Sequence, residues 1–329
     1  MASVVLQQAV IMLTLIGFGA GCFRLKILSK QTVSQISSLV LKVVNPIVIL
    51  MSFQRECDRH LIADLGWTFL LAVLSYGIAF AGAYLLIRDK EGRDTVIERF
   101  SSIYSNCGFM GIPLVQAMFG YEGVFYLTAF IAVFNAFVWS HGVMMMSGQR
   151  SLKSLMKVLR SPAIFAIAAG MVMFFTGLTL PEAGSSAAAG ASIPVRILHT
   201  VGALLSEGFS MVGSLNTPLA MFVAGATIIQ TDMPAVLKKP RVFYVSFLRL
   251  IVFPTVTLLL FQLFPIDTIV EMTVLAAASA PCAAICTMMS LTYKRNAAYA
   301  SEIFGVSTLL SVATMPLMMI FYEALGHIR

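Results

Sequence analysis

Apolar residues run along this chain in stretches of about twenty, separated by short segments where lysine, arginine, glycine and proline collect. About twenty apolar residues is the length a helix needs to cross the hydrocarbon of a bilayer. The pattern predicts ten spans, over residues 4–23, 33–53, 65–87, 100–119, 123–146, 162–180, 211–229, 242–264, 269–291 and 299–322. Two of them are built wrongly for plain helices. Ser105, Asn106, Gly108, Gly111 and Pro113 interrupt the fourth, and Ser279, Pro281 and Cys282 interrupt the ninth, among alanines that include Ala283. An unsatisfied backbone group inside a bilayer is costly, so a broken helix persists only where it is buried in protein or lines a cavity. Interrupted spans at matching positions of two halves point to a transporter's binding site.

Composition agrees. The chain is 59% hydrophobic and only 11% charged, where soluble domains carry roughly 25% charged residues. The net charge of +7 does not indicate nucleic acid, because the basic residues lie between apolar stretches rather than in one patch. Sixteen of the 22 Lys and Arg fall in alternate loops, four fall on the opposite side, and Lys42 and Arg249 lie within spans. By the positive-inside rule both termini are non-cytoplasmic in a multi-pass protein of the cell membrane. No basic residue precedes the first span, so it reads as a true helix rather than a signal peptide. The five cysteines have no metal-ligand spacing.

The loop at 148–161 separates five spans from five. An odd number per half inverts the second half relative to the first if both share a fold. The expected organisation is a first repeat over 1–147, a basic cytoplasmic loop at 148–161, and a second repeat over 162–329. The latter carries an external low-complexity linker at 181–194 and a short surface helix at 193–207. Asn45-Pro46 in the second span pairs with Asn216-Thr217-Pro218 in the seventh, and Pro113 in the fourth with Pro281 in the ninth. These are the expected helix breaks. The fold class is therefore an all-α integral membrane protein of two inverted five-helix repeats, whose broken fourth and ninth helices cross.

A helix broken in mid-membrane exposes N–H groups equivalent to about half a positive charge, and two such ends aimed at a cavity would hold a carboxylate. Asn106 adds an amide donor, and Ser105, Gly108, Pro281, Cys282 and Ala283 complete the candidate substrate site. Lys42 joins it as a mid-span cation, since intramembrane charge marks a pathway or a pair. Arg249 reads either the same way or as a side chain snorkelling to the cytoplasmic face. His141 reads as a proton relay or a hydrogen-bonded helix-end residue. No nucleophile or metal motif and no phosphate-binding loop occurs, so neither enzyme chemistry nor nucleotide-driven pumping is expected.

The run from Asn106 to Leu114 (Asn-Cys-Gly-Phe-Met-Gly-Ile-Pro-Leu) resembles the signature of the auxin efflux carrier family, particularly its prokaryotic-type members. Asn216 to Met221, followed by Gly225, and the Ala280-Pro281 step are similar to that family's other helix breaks. The resemblance implies ten helices in two inverted repeats, with Asn106 matching the asparagine that contacts a substrate carboxylate. Tyr104 stands where plant carriers have the proline that breaks the fourth helix, so here the break rests on Tyr104 to Asn106. The implied substrate is a small organic anion such as malate or malonate, with no cofactor, with or without Na+ or H+ coupling. The lipid bilayer is a partner, and a homodimer is compatible with the plan. Two other readings stand beside it: a sodium–organic-acid symporter of bile-acid-carrier type, and a membrane sensor that binds ligand or lipid without moving it.

Overall fold

The computed structural model describes residues 2–148, 161–181, 192–231 and 233–326. Among these residues every regular element is helical: α1 (Ala2–Arg24), α2 (Lys30–Ser52), α3 (Arg59–Leu86), α4 (Thr95–Ile103), α5 (Cys107–Ser147), α6 (Pro162–Thr176), α7 (Ile193–Ile228), α8 (Pro240–Phe261), α9 (Thr268–Ser279), α10 (Ile285–Thr292) and α11 (Ala297–Gly326). By length and composition seven are able to cross a membrane, namely α1, α2, α3, α5, α7, α8 and α11, while α6 and α9 are apolar but shorter. Their outer faces are as apolar as their inner ones. Phe18, Phe165, Leu198, Leu204 and Met211 are each more than 60% exposed, an arrangement that suits lipid and not water. Most of the basic loop (149–160) and of the linker (182–191) lies outside the described residues.

Local chemistry sets the ends. Ser29, Asp58 and Asp267 each accept a hydrogen bond from a first-turn N–H and so start α2, α3 and α9. α5 is two helices in one: Gly120 has φ +61° and ψ −146°, a backbone region that only glycine enters freely. A Cβ placed on Gly123 would lie 2.6 Å from Val115 Cγ1. Eight residues of straight helix span about 12 Å, so the chain doubles back here, between the predicted fourth and fifth spans.

Three sequence expectations need correction. The helices do not break at Asn45, Pro46 or Pro113. Instead Val40–Val44 and Cys107–Gly111 form wider π turns, each ending two residues before a proline, and Leu248–Val252 before Pro254 does the same. Proline removes one N–H from the ladder, and the wider turn absorbs the mismatch without ending the helix. Residues 193–207 are no separate surface helix: α7 runs on from Ile193 and is interrupted at Leu215, where the Leu215 N–H bonds Val212 in a tighter turn. Pro218, which has no N–H to offer Ser214, accounts for that interruption.

The main core joins α3, α5, α8, α9 and α11. A smaller one is built from Met12 and Ile16 of α1, Val33 and Val40 of α2, and Met221 and Ala224 of α7. Phe109 and Met110, from the π turn that begins α5, insert into it. That turn is where the two cores meet.

Candidate functional site

α4 ends at Ile103 and α5 begins at Cys107, leaving Tyr104, Ser105 and Asn106 outside helix; α9 ends at Ser279 and α10 begins at Ile285, leaving 280–284 outside. These two gaps lie against each other. Ser105 faces Cys282 in a single antiparallel bridge. The Asn106 N–H donates to the Pro281 carbonyl at 2.8 Å, and the Ala283 N–H to the Tyr104 carbonyl at 2.9 Å. The Cys282 N–H donates to Ser307 Oγ at 3.2 Å. Backbone freed by one break is thus satisfied by the other, which is how non-helical chain survives in a dry interior. Gly111 lies beside α9 here, where an added Cβ would make only ordinary contact with the Ala277 Cα, at 4.0 Å.

Tyr104 makes its break by anchorage. Its N–H still bonds Phe100, but its ring is fully buried against Phe100, Tyr76, Phe80 and Phe134. Its hydroxyl donates to the Phe137 carbonyl at 3.0 Å and meets His141 Nδ1 at 2.9 Å. Tyr84 Oη lies 3.1 Å from the other ring nitrogen, so His141 is a hydrogen-bonded helix residue with both nitrogens engaged.

Arg249 does not snorkel. It is 3% exposed, and its guanidinium lies behind the two gaps. Nε donates to Ala280 O at 3.0 Å, Nη1 to Ser102 O at 3.3 Å and to Ile103 O at 3.1 Å, and Nη2 to Ala278 O. One side chain from α8 therefore holds the C-terminal ends of both α4 and α9. No carboxylate pairs with it among the described residues. Each helix C-terminus is equivalent to about half a negative charge, so two of them offset one guanidinium. Among the described residues no side chain caps the positive N-termini of α5 and α10, on the far sides of the gaps.

Asn106 is 8% exposed, and no side-chain hydrogen bond holds its amide among the described residues. Gly108 lies in the adjoining turn. Its carbonyl accepts from Asn45 Nδ2 at 3.2 Å, which replaces the N–H that Pro113 cannot supply. Asn45 of α2 is thereby tied to the gap. Lys42 is exposed on α2 and no hydrogen bond or ion pair joins it to the crossing among the described residues.

Two buried carboxylates escaped the sequence reading. Glu98 receives two hydrogen bonds from Arg241 Nε and one from its Nη2, at 2.8–3.0 Å, and another from the Tyr299 hydroxyl at 2.9 Å. Glu271 is buried and accepts from the Tyr322 hydroxyl. The first cluster borders a cavity of about 580 Å³ lined by Arg93, Asp94, Lys239 and Asn296. Glu98 links α4 to α8 and α11 there. An acid next to a helix start gives no sequence signal of such a partner, 143 residues away.

Comparison with known proteins identifies the family. The family described as membrane transport protein matches residues 4–160 and 151–319. The chain belongs to this family. It is the auxin efflux carrier family that the Asn106–Leu114 run resembles, and the protein is a multi-pass membrane transporter. No curated protein matches the chain.

Proposed function

We propose that this membrane transport protein carries a small organic anion, a carboxylate such as malate or malonate, by alternating access, with the substrate at the crossing of the two helix gaps. The observation that carries the reading is the charge arrangement there. Arg249 neutralises the negative ends of α4 and α9, so the crossing presents mainly positive helix N-termini and the amide of Asn106. Donors and positive dipoles in a water-poor site favour a carboxylate over a cation or a neutral solute. The lack of a paired acid beside Arg249 supports the same polarity.

Joining α4 to the first part of α5, and α9 to α10, and dividing α5 at Gly120 gives ten spans in this reading. With α6 beginning after the basic loop, they form two five-span repeats of opposite orientation, with both termini outside the cell membrane. The two family matches meet at residues 151–160, in agreement with that division. Movement through the site is by gradient, with or without a coupled Na+ or H+.

Asn106→Ala tests the site. A hydrogen bond to a charged group contributes about 1.5–3 kcal/mol, so the variant should bind a carboxylate substrate about 10- to 150-fold more weakly. The measurement is calorimetric binding to purified protein, together with uptake into reconstituted vesicles. Wild-type affinity in a folded Asn106→Ala protein would remove the crossing as the substrate site. Lys42→Met separates the remaining cation. From its exposure we expect affinity to change by less than about 5-fold, the surface-charge range, and a larger loss would bring Lys42 into the site.

A further inference from the structure

Asn216 is fully buried, yet neither its Nδ2 nor its Oδ1 has a hydrogen-bond partner among the described residues, and Oδ1 of Asn45, 4% exposed, is also unmatched. Buried amides left open in this way are rare and call for an explanation. The two belong together. Asn45–Ser52 of α2 packs on the part of α7 before its interruption, and Val40–Val44 on the part after it, so the two helices run antiparallel past each other. A Cβ on Gly213 would lie 3.4 Å from Val48 Cγ2. Asn216 follows Gly213 by three residues and Asn45 precedes Val48 by three, which puts each on the same face as that contact and opposite the other. The stretch Asn216–Ile228 also packs against Cys107–Gly111, whose Gly108 carbonyl holds Asn45. The pair therefore adjoins the crossing from the α2–α7 side.

We propose that Asn45 and Asn216 form a second half of the substrate site and recognise a hydroxyl group on the transported acid; this rests on the anion-transport reading given above. The chemistry selects the group. A carboxylate only accepts, and here it would meet two amide oxygens. A small cation would satisfy those oxygens and leave the Asn216 Nδ2 donors unused. A hydroxyl donates to one amide oxygen and accepts from Nδ2, so it alone uses both kinds of group the two side chains present. The acid would then lie with its carboxylate at Asn106 and its hydroxyl between α2 and α7, and the helices must part to admit it.

The test compares each hydroxy acid with its deoxy counterpart, lactate with propionate and malate with succinate, by calorimetry on the purified full chain at fixed pH. A deoxy acid leaves buried amides unpaired, so the wild type should prefer the hydroxy acid by at least about 10-fold. In Asn216→Leu, which keeps the branched shape and removes both polar atoms, the ratio should fall to within about 2-fold. The wild-type ratio decides even if that variant does not fold. Equal affinity for both members of each pair overturns the hydroxyl assignment and leaves the anion reading standing. An unchanged preference in folded Asn216→Leu also overturns it. If none of the four acids binds, the hydroxyl assignment falls, and the anion reading falls with it only if malonate fails to bind as well.

Discussion

Arg249→Met should abolish uptake and strongly destabilise the protein, and Arg249→Lys should restore part of the stability but little of the transport. Methionine leaves four buried carbonyls, those of Ser102, Ile103, Ala278 and Ala280, without their donors. At about 1 kcal/mol or more for each orphaned acceptor the loss is at least ~4 kcal/mol, a large fraction of the 5–15 kcal/mol that holds a typical fold. Lysine keeps the charge that offsets the two helix ends. However, a compact ammonium cannot span carbonyls on two separate segments as a planar five-donor fork can. The pair of variants thus separates charge from geometry. Thermal denaturation in detergent reads the first quantity and vesicle uptake the second. If Arg249→Lys transported at the wild-type rate, charge alone would suffice and the clamp would be incidental. Wild-type stability of Arg249→Met would mean that water or a neighbouring group already serves those carbonyls.

The residues at the crossing were readable in the sequence because each violates the rules of a membrane helix. Glycine at 108, proline at 281 and the polar pair Ser105 and Asn106 are anomalies among alanines, leucines and phenylalanines, and anomalies in lipid need a structural reason. Tyr104 was legible only as a substitution for an expected proline; of the aromatic cage that anchors it only Phe100 is local, and the rest comes from α3 and α5. The prolines at 46 and 113 misled for a related reason. Proline announces that a ladder bond is missing, but not whether the helix will stop or widen, and here a π turn plus the distant Asn45 amide supplied the remedy. Arg249 was visible as an intramembrane charge while its target was not. A lone cation on an apolar helix carries no information about direction, and its acceptors are backbone carbonyls, which every residue has. The same holds for Glu98 and Arg241, whose pairing depends on how three helices converge.

The close contact of α1 with α7 supplies the second large effect. A Cβ on Gly225 would stand 1.9 Å from the Ile16 carbonyl oxygen and 2.9 Å from the Ala20 nitrogen; one on Gly19 would stand 2.3 Å from the Phe222 oxygen. Each glycine faces the other helix's backbone, so neither clash is relieved by rotating a side chain. In lipid, where helices gain nothing from burying apolar surface against each other, such approach is itself the source of association. Gly225→Ala should therefore cost more than the 1–3 kcal/mol of ordinary overpacking, because the whole helix must shift. Gly225→Leu should prevent accumulation of folded protein. Gly19→Ala should fall between these and the wild type. Gly66→Ala and Gly77→Ala, where a Cβ meets nothing within 4 Å, should be neutral or stabilising by up to about 1 kcal/mol, because alanine loses less freedom in a helix. Melting temperatures of the four alanine variants in one detergent give the order, and Gly225→Ala as stable as Gly77→Ala would show that α1 and α7 do not touch as described. α7 carries Asn216, and the small core it shares with α1 receives Phe109 and Met110 from the turn beside Asn106. Displacing α7 should thus weaken substrate binding together with stability, whereas Asn106→Ala should weaken binding alone.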